Sequence, residues 1–137
     1  MLVLDTDVLS HAMRLDSVAL GWLDQQPRTS LWTTAITIFE IRYGLVSMPP
    51  GRRQTIYSAE LERMIDEDLE RRILPFDHAA AEQAAALMGR RRRAGRPVES
   101  RDTMIAGIAL AQRATLATRN VRHFVDLDVT VIDPWNP

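Results

Sequence analysis

Three carboxylates and one amide stand where chemistry could be built. Asp5 directly follows the apolar run Met1 to Leu4, and Glu40 lies inside the apolar segment Ala35 to Gly44. Asp102 opens the segment Asp102 to Ala109, and Asn120 follows the run Thr115 to Thr118. Oxygen-only donors suit a hard divalent cation, Mg²⁺ or Mn²⁺, rather than zinc. Three acids held within several ångströms of one another would repel strongly without such a cation. The set therefore suits metal-assisted phosphoryl transfer, in which the cation activates a water and neutralises charge developing on the phosphate.

Each of these residues also has an ordinary structural use. Asp5 or its neighbour Asp7 can cap a helix. Glu40 can pair with Arg42 or Arg101, because a carboxylate on a helix that is apolar almost all round needs a partner. Asp102 is favoured in a first turn by the helix dipole, with Ser100 available as the cap. Asn120 can be a simple turn residue, although its amide oxygen can also bind a cation or a water.

The elements that must position these groups alternate short apolar runs with longer helical patterns, which is the signature of a parallel sheet covered by helices. Strands are expected at Met1 to Leu4, Ser30 to Thr34, Ile73 to Pro75, Thr115 to Thr118 and Val129 to Ile132. Helices are expected over Asp7 to Met13, Val18 to Gln26, Ala35 to Val46 and Asp77 to Arg93, with Asp77 as N-cap. Another runs from Ser100 or Asp102 to about Ala114. Arg52 to Arg72 reads as one amphipathic helix or two. The result is an α/β fold with five strands, in which Asp5 and Asn120 fall beyond the carboxyl ends of strands, where open parallel sheets bind ligands.

Composition narrows the chemistry. The chain has 137 residues, the size of one domain, so a single domain over 1–137 is expected. It has no Cys, which removes disulfides, thiolate metal sites and a Cys nucleophile. All 17 basic residues are Arg. Schiff-base chemistry and P-loop phosphate binding, which need a lysine, are excluded. A net charge of −1 gives no global attraction to nucleic acid, so any such binding needs a local patch. No apolar run reaches the length of a membrane span, and Asp5 interrupts the apolar start, so a cytoplasmic location is expected.

The one dense basic segment holds Arg90 to Arg93, Arg96 and Arg101 against Glu99. It could hold an RNA backbone beside the acids, or simply complement a helix end. The three histidines have no clustered spacing and read as surface residues, although His11 could face a groove. Trp22 and Trp32 read as core or dimer packing, Met64, Ile65 and Leu69 as a core or dimer stripe, and Trp135 as an anchor for the C-terminal segment.

Taken together, the motifs resemble the PIN-domain ribonucleases, and within them the VapC toxins and the FitB proteins. The resemblance rests on Leu4-Asp5-Thr6-Asp7-Val8, on Thr34-Ala35-Ile36-Thr37 leading to Glu40 and Gly44, and on Ile73-Leu74-Pro75-Phe76-Asp77. It continues through Asp102-Thr103-Met104-Ile105-Ala106, Leu116-Ala117-Thr118-Arg119-Asn120 and Asp133-Pro134-Trp135. It implies a PIN-like α/β/α sandwich around a five-stranded parallel sheet and a divalent-metal endoribonuclease acting on tRNA or ribosomal RNA. The family's three acids fall on Asp5, Glu40 and Asp102. Its fourth position, often Asp, falls on Asn120, and its hydroxyl residue on Thr118, which would position water or phosphate. The resemblance further implies a homodimer and a VapB-type antitoxin whose C-terminal segment fills the active groove, the assembly binding operator DNA. The FitB likeness adds an alternative, a partner of a DNA-binding antitoxin acting in transcriptional regulation with little nuclease activity. Asp5-Thr6-Asp7-Val8 is also similar to the opening of haloacid-dehalogenase phosphatases, but that class uses a lysine this chain lacks.

Overall fold

The structure is a computed structural model that describes residues 1–137. Leu2–Leu4 (β1) is apolar at every position and is buried on both faces, as expected of a strand inside a parallel sheet. Thr6–Met13 (α1) and Ser17–Asp24 (α2) follow, capped by the side chains of Asp5 and Asp16. Leu31–Thr34 (β2) runs directly into Ala35–Val46 (α3), because Thr34 both ends the strand and accepts a hydrogen bond from the Thr37 N–H at 3.0 Å. Arg52–Arg63 (α4) continues into a π-helical turn, Met64–Asp68, so the segment read as one helix or two is a helix with a widened last turn. Ile73–Leu74 (β3), His78–Arg93 (α5), Ser100–Gln112 (α6), Thr115–Ala117 (β4) and Val131–Ile132 (β5) complete the order. A 3₁₀ turn, Val121–Phe124, links the last two strands.

All strand pairs are parallel, and the order across the sheet is β3-β2-β1-β4-β5. The first strand is therefore central. The chain winds outward to one side through β2 and β3, then crosses to β4 and β5. The expected five-stranded parallel α/β fold is what the chain adopts.

Side-chain alternation along β1 builds the two halves of the core. Leu2 and Leu4 point into a cluster with Val8, Leu9, Trp22, Ile41, Leu61 and Leu69. Val3 points the other way, into a cluster with Leu87, Ile105, Ile108, Leu116 and Phe124. The stripe Met64, Ile65 and Leu69 is core. Helices α5 and α6 pack closely because Gly107 faces α5, where an added Cβ would lie 2.7 Å from both the Ala80 carbonyl oxygen and the Ala84 Cβ. That contact fixes the height of the start of α6, and hence of Asp102, relative to the sheet.

One expectation needs correction. The cap of α6 is Glu99, whose carboxylate accepts from the Arg101 and Asp102 N–H groups, and Ser100 is the first helical residue. A carboxylate is the stronger acceptor for these amides. Within the basic segment Arg91 is buried and hydrogen bonded inside the fold, while Arg90, Arg92, Arg93 and Arg96 are exposed. Helix α3 is apolar in composition but not buried all round: Phe39, Tyr43 and Val46 are exposed, and the first two rings stack with centroids 6.3 Å apart.

Candidate active site

The central strands β1 and β4 end side by side, with Leu4 opposite Ala117. Their next residues are Asp5 and Thr118. The Asp5 N–H donates to the Ala117 carbonyl at 2.9 Å, which keeps the two chains together one residue beyond the strands. The chain reverses its winding direction here, so this is the crevice where a parallel sheet holds ligands.

Asp5 is 4% exposed. One of its oxygens accepts from the Thr6 N–H at 2.8 Å and the other from the Thr118 hydroxyl at 2.8 Å. It is thus both a helix cap and a member of the cleft. Burial, and then the charge of Asp7, push its carboxyl up to about 7 against these two hydrogen bonds, and Asp102 adds to the rise. No cationic side chain offsets this, which is what a carboxylate reserved for an ion looks like.

Asp7 accepts from the Arg119 N–H at 3.0 Å and lies 3.4 Å from the Thr118 hydroxyl. Its carboxyl is also raised, chiefly by burial. Its other oxygen, Oδ1, is buried without a well-formed hydrogen bond.

Glu40 lies one helical turn beyond the capping motif of α3. The Thr6 hydroxyl donates to it at 2.7 Å and also sits 3.2 Å from the Thr37 hydroxyl. Burial raises its carboxyl, against the Thr6 hydrogen bond and the nearby Arg101. Arg101 reaches Glu40 at 3.7 Å but prefers Glu99 at 3.0 Å. Arg42 points elsewhere and pairs with Glu62. The expected salt bridge to Glu40 is therefore a loose one at the rim.

Asp102 lies in the first turn of α6, and one of its oxygens is 2.7 Å from Nδ1 of His123. Asn120 lies 2.9 Å from the same nitrogen, and its N–H donates to the Thr118 hydroxyl at 3.0 Å. Asp5, Asp7, Glu40, Asp102 and Asn120, with Thr6, Ser10, His11 and Arg14, line one cleft of about 250 Å³. The sequence-derived set is brought to one place, with one qualification: Thr118 is fully buried, so its hydroxyl orients Asp5 instead of reaching a substrate. Trp135 stacks under Arg119 at 4.8 Å and meets His11 edge-on at 5.1 Å, which docks the C-terminal segment beside the cleft as expected.

The donors fit a hard cation. The acids offer only oxygens, Asp5 and Asp7 are raised chiefly by burial, and Asp7 Oδ1 is an orphaned buried acceptor. No three of the acids and histidines close into a ready ligand shell.

The sequence does not single out Asp7, which lines the cleft, or His123, which contacts Asp102 and Asn120. Asp7 was weighed only as a cap, although its place two residues after Asp5 was the available signal. His123 reads in the sequence as a surface residue. Its spacing of three from Asn120 was the clue, since a one-turn 3₁₀ helix brings i and i+3 together.

The fold and the cleft define an α/β protein with an acidic site at the switch point of a parallel sheet. The PIN domain family matches residues 2–129. Among curated relatives, the VapC ribonuclease Y4jK of Sinorhizobium fredii is 37% identical over 100% of this chain and 99% of its own length. The plasmid stability protein StbB of Pseudomonas syringae pv. tomato is 38% identical over 98% of this chain and 99% of its own. Among solved structures, FitAcB from Neisseria gonorrhoeae superposes with a TM-score of 0.89 at 31% identity, covering 100% of both chains. The chain belongs to the PIN domain family, among its VapC- and FitB-type toxins.

Proposed function

We propose that this protein is a Mg²⁺- or Mn²⁺-dependent endoribonuclease toxin that hydrolyses phosphodiester bonds in tRNA or ribosomal RNA. The observation that carries the proposal is the convergence of Asp5, Glu40 and Asp102 on one cleft, with Asp5 buried and lacking a cationic partner. A bound divalent ion supplies an activated water and neutralises charge on the phosphate. Asp5 and Asp102 are the residues that would hold it, with Glu40 direct or through water. Thr6 fixes the Glu40 carboxylate so that its second oxygen can orient the attacking water. Thr118 fixes Asp5. Arg101 and Arg14 at the rim offset the repulsion between the acids and an RNA backbone.

A groove of about 340 Å³ runs on from the cleft, sharing Thr6, Ser10, Arg14 and Glu40 and reaching Met48, Arg53 and Tyr57. It suits the C-terminal segment of a VapB-type antitoxin. The exposed Phe39, Tyr43 and Val46 on α3 suit a homodimer contact. No helix is long and apolar enough to cross a membrane.

The test is induced expression in cells with mapping of new RNA 5′ ends, using the wild type and Asp102→Ala. The proposal requires growth arrest with discrete cuts that the variant does not make. Partner-dependent DNA binding without any cuts would instead favour the transcriptional role of the FitB-like alternative.

A further inference from the structure

The buried Arg91 lies between three elements. Its Nε and Nη2 donate to both oxygens of Asp126 at 2.9 Å, and Nη1 donates to the Thr103 hydroxyl at 2.9 Å. Nη2 also donates to the main-chain carbonyl of His123 at 2.6 Å. Thr103 is the neighbour of Asp102, and His123 sits on the 3₁₀ turn that follows Asn120. One guanidinium from α5 thus locks the start of α6 to that turn. A planar bidentate donor holds such a junction more rigidly than any other side chain.

The locked geometry places the His123 ring against Asp102. Nδ1 is 2.7 Å from Asp102 Oδ2 and 2.9 Å from the Asn120 amide. An ionised carboxylate only accepts, so Nδ1 must carry the hydrogen. It cannot then also accept from an Asn120 NH₂. A half-turn of the amide resolves the conflict, so that the Asn120 oxygen faces Nδ1 and shares its hydrogen. The Asn120 NH₂ then faces the cleft as a donor, in the place where a fourth carboxylate would have offered lone pairs.

We propose that His123 is a positioning residue of the cation site: anchored by Arg91, it occupies one oxygen of Asp102 and the oxygen of Asn120, leaving the other Asp102 oxygen aimed at the ion. This rests on the cation site proposed above. It gives the cleft an Asn120–His123 pair as an outer shell for Asp102. Partners of this kind fix ligand orientation, and their loss typically weakens metal binding about 10- to 100-fold.

The test is isothermal titration of the metal-free full chain with Mn²⁺, without RNA, for the wild type, His123→Ala and His123→Asn, alongside melting of each metal-free protein. The Asn side chain can place an N–H where Nδ1 stands. His123→Ala is expected to bind Mn²⁺ about tenfold more weakly, with His123→Asn close to wild type and all three melting alike. Equal affinities for all three proteins would overturn the proposal. So would equal loss in both variants, since the hydrogen bond would then not be the operative contact. A wild type that binds Mn²⁺ in this His123-dependent way yet cuts no RNA supports the positioning role while removing the nuclease reading. A wild type that binds no Mn²⁺ overturns both.

Discussion

Two buried charges meet opposite fates. Arg91 is 3% exposed and Asp5 is 4% exposed. Arg91 has a bidentate carboxylate, a hydroxyl and a carbonyl around it, and its partner Asp126 is held below the usual carboxylate range by those bonds. Asp5 has two hydrogen bonds, a second carboxylate beside it and no cation, and its carboxyl rises to about 7. A buried charge with all its partners in place holds the fold together. A buried charge without a counter-ion costs stability, a cost that the cation proposed above would offset. The first is scaffold, and the second is site.

The contrast is most sharply broken at Arg91. Arg91→Met would leave Asp126, Thr103 and the His123 carbonyl without their donor, and should cost about 3–5 kcal/mol in urea unfolding. Arg91→Lys should recover part of this, because a point charge cannot restore the fork. Asp5→Asn should do the opposite. Removing an uncompensated buried charge should raise the unfolding free energy of the metal-free protein at about pH 8 by on the order of 1 kcal/mol, while RNA cleavage falls to background.

The same asymmetry has a pH signature. Asp5 keeps its proton in the folded state up to about 7, whereas the unfolded chain releases it near 3.8. Between these values the folded protein binds more protons than the unfolded one, so its stability falls as pH rises. Metal-free protein should therefore lose urea resistance steadily from about pH 5 to about pH 7, and saturating Mn²⁺ should cancel the loss. A metal-free protein whose resistance grows over that range would contradict the assignment. At the small end, Arg101→Ala removes a partly exposed rim contact 3.7 Å from Glu40 and should leave the urea unfolding midpoint nearly unchanged.

Much of this was legible in the sequence, for identifiable reasons. The strand at Leu2–Leu4 and the helix at Ala35–Val46 have unambiguous apolar patterns, and their junctions with Asp5 and Thr34 are marked by capping chemistry. Because strand ends in a parallel sheet share one edge, Asp5 and Asn120 could be placed together without coordinates. What stayed hidden depended on contacts between distant elements. Arg91 looks like its three Arg neighbours in the sequence, and only the packing of α5 against the turn at Val121–Phe124 separates it from them. His123 had no partner within its own element except Asn120. The π turn at Met64–Asp68 is a tertiary adjustment with no local sequence rule behind it.

The central claim is that Asp5, Glu40 and Asp102 form one pocket for a hard divalent cation. It is tested most directly by diffraction from crystals equilibrated with Mn²⁺, with data collected at the manganese absorption edge. A single anomalous peak is expected in the cleft, within direct ligand distance of Asp5 and Asp102, with Glu40 bound to it or one water away. A saturated crystal with no peak there, or with a peak held by other residues, would contradict it.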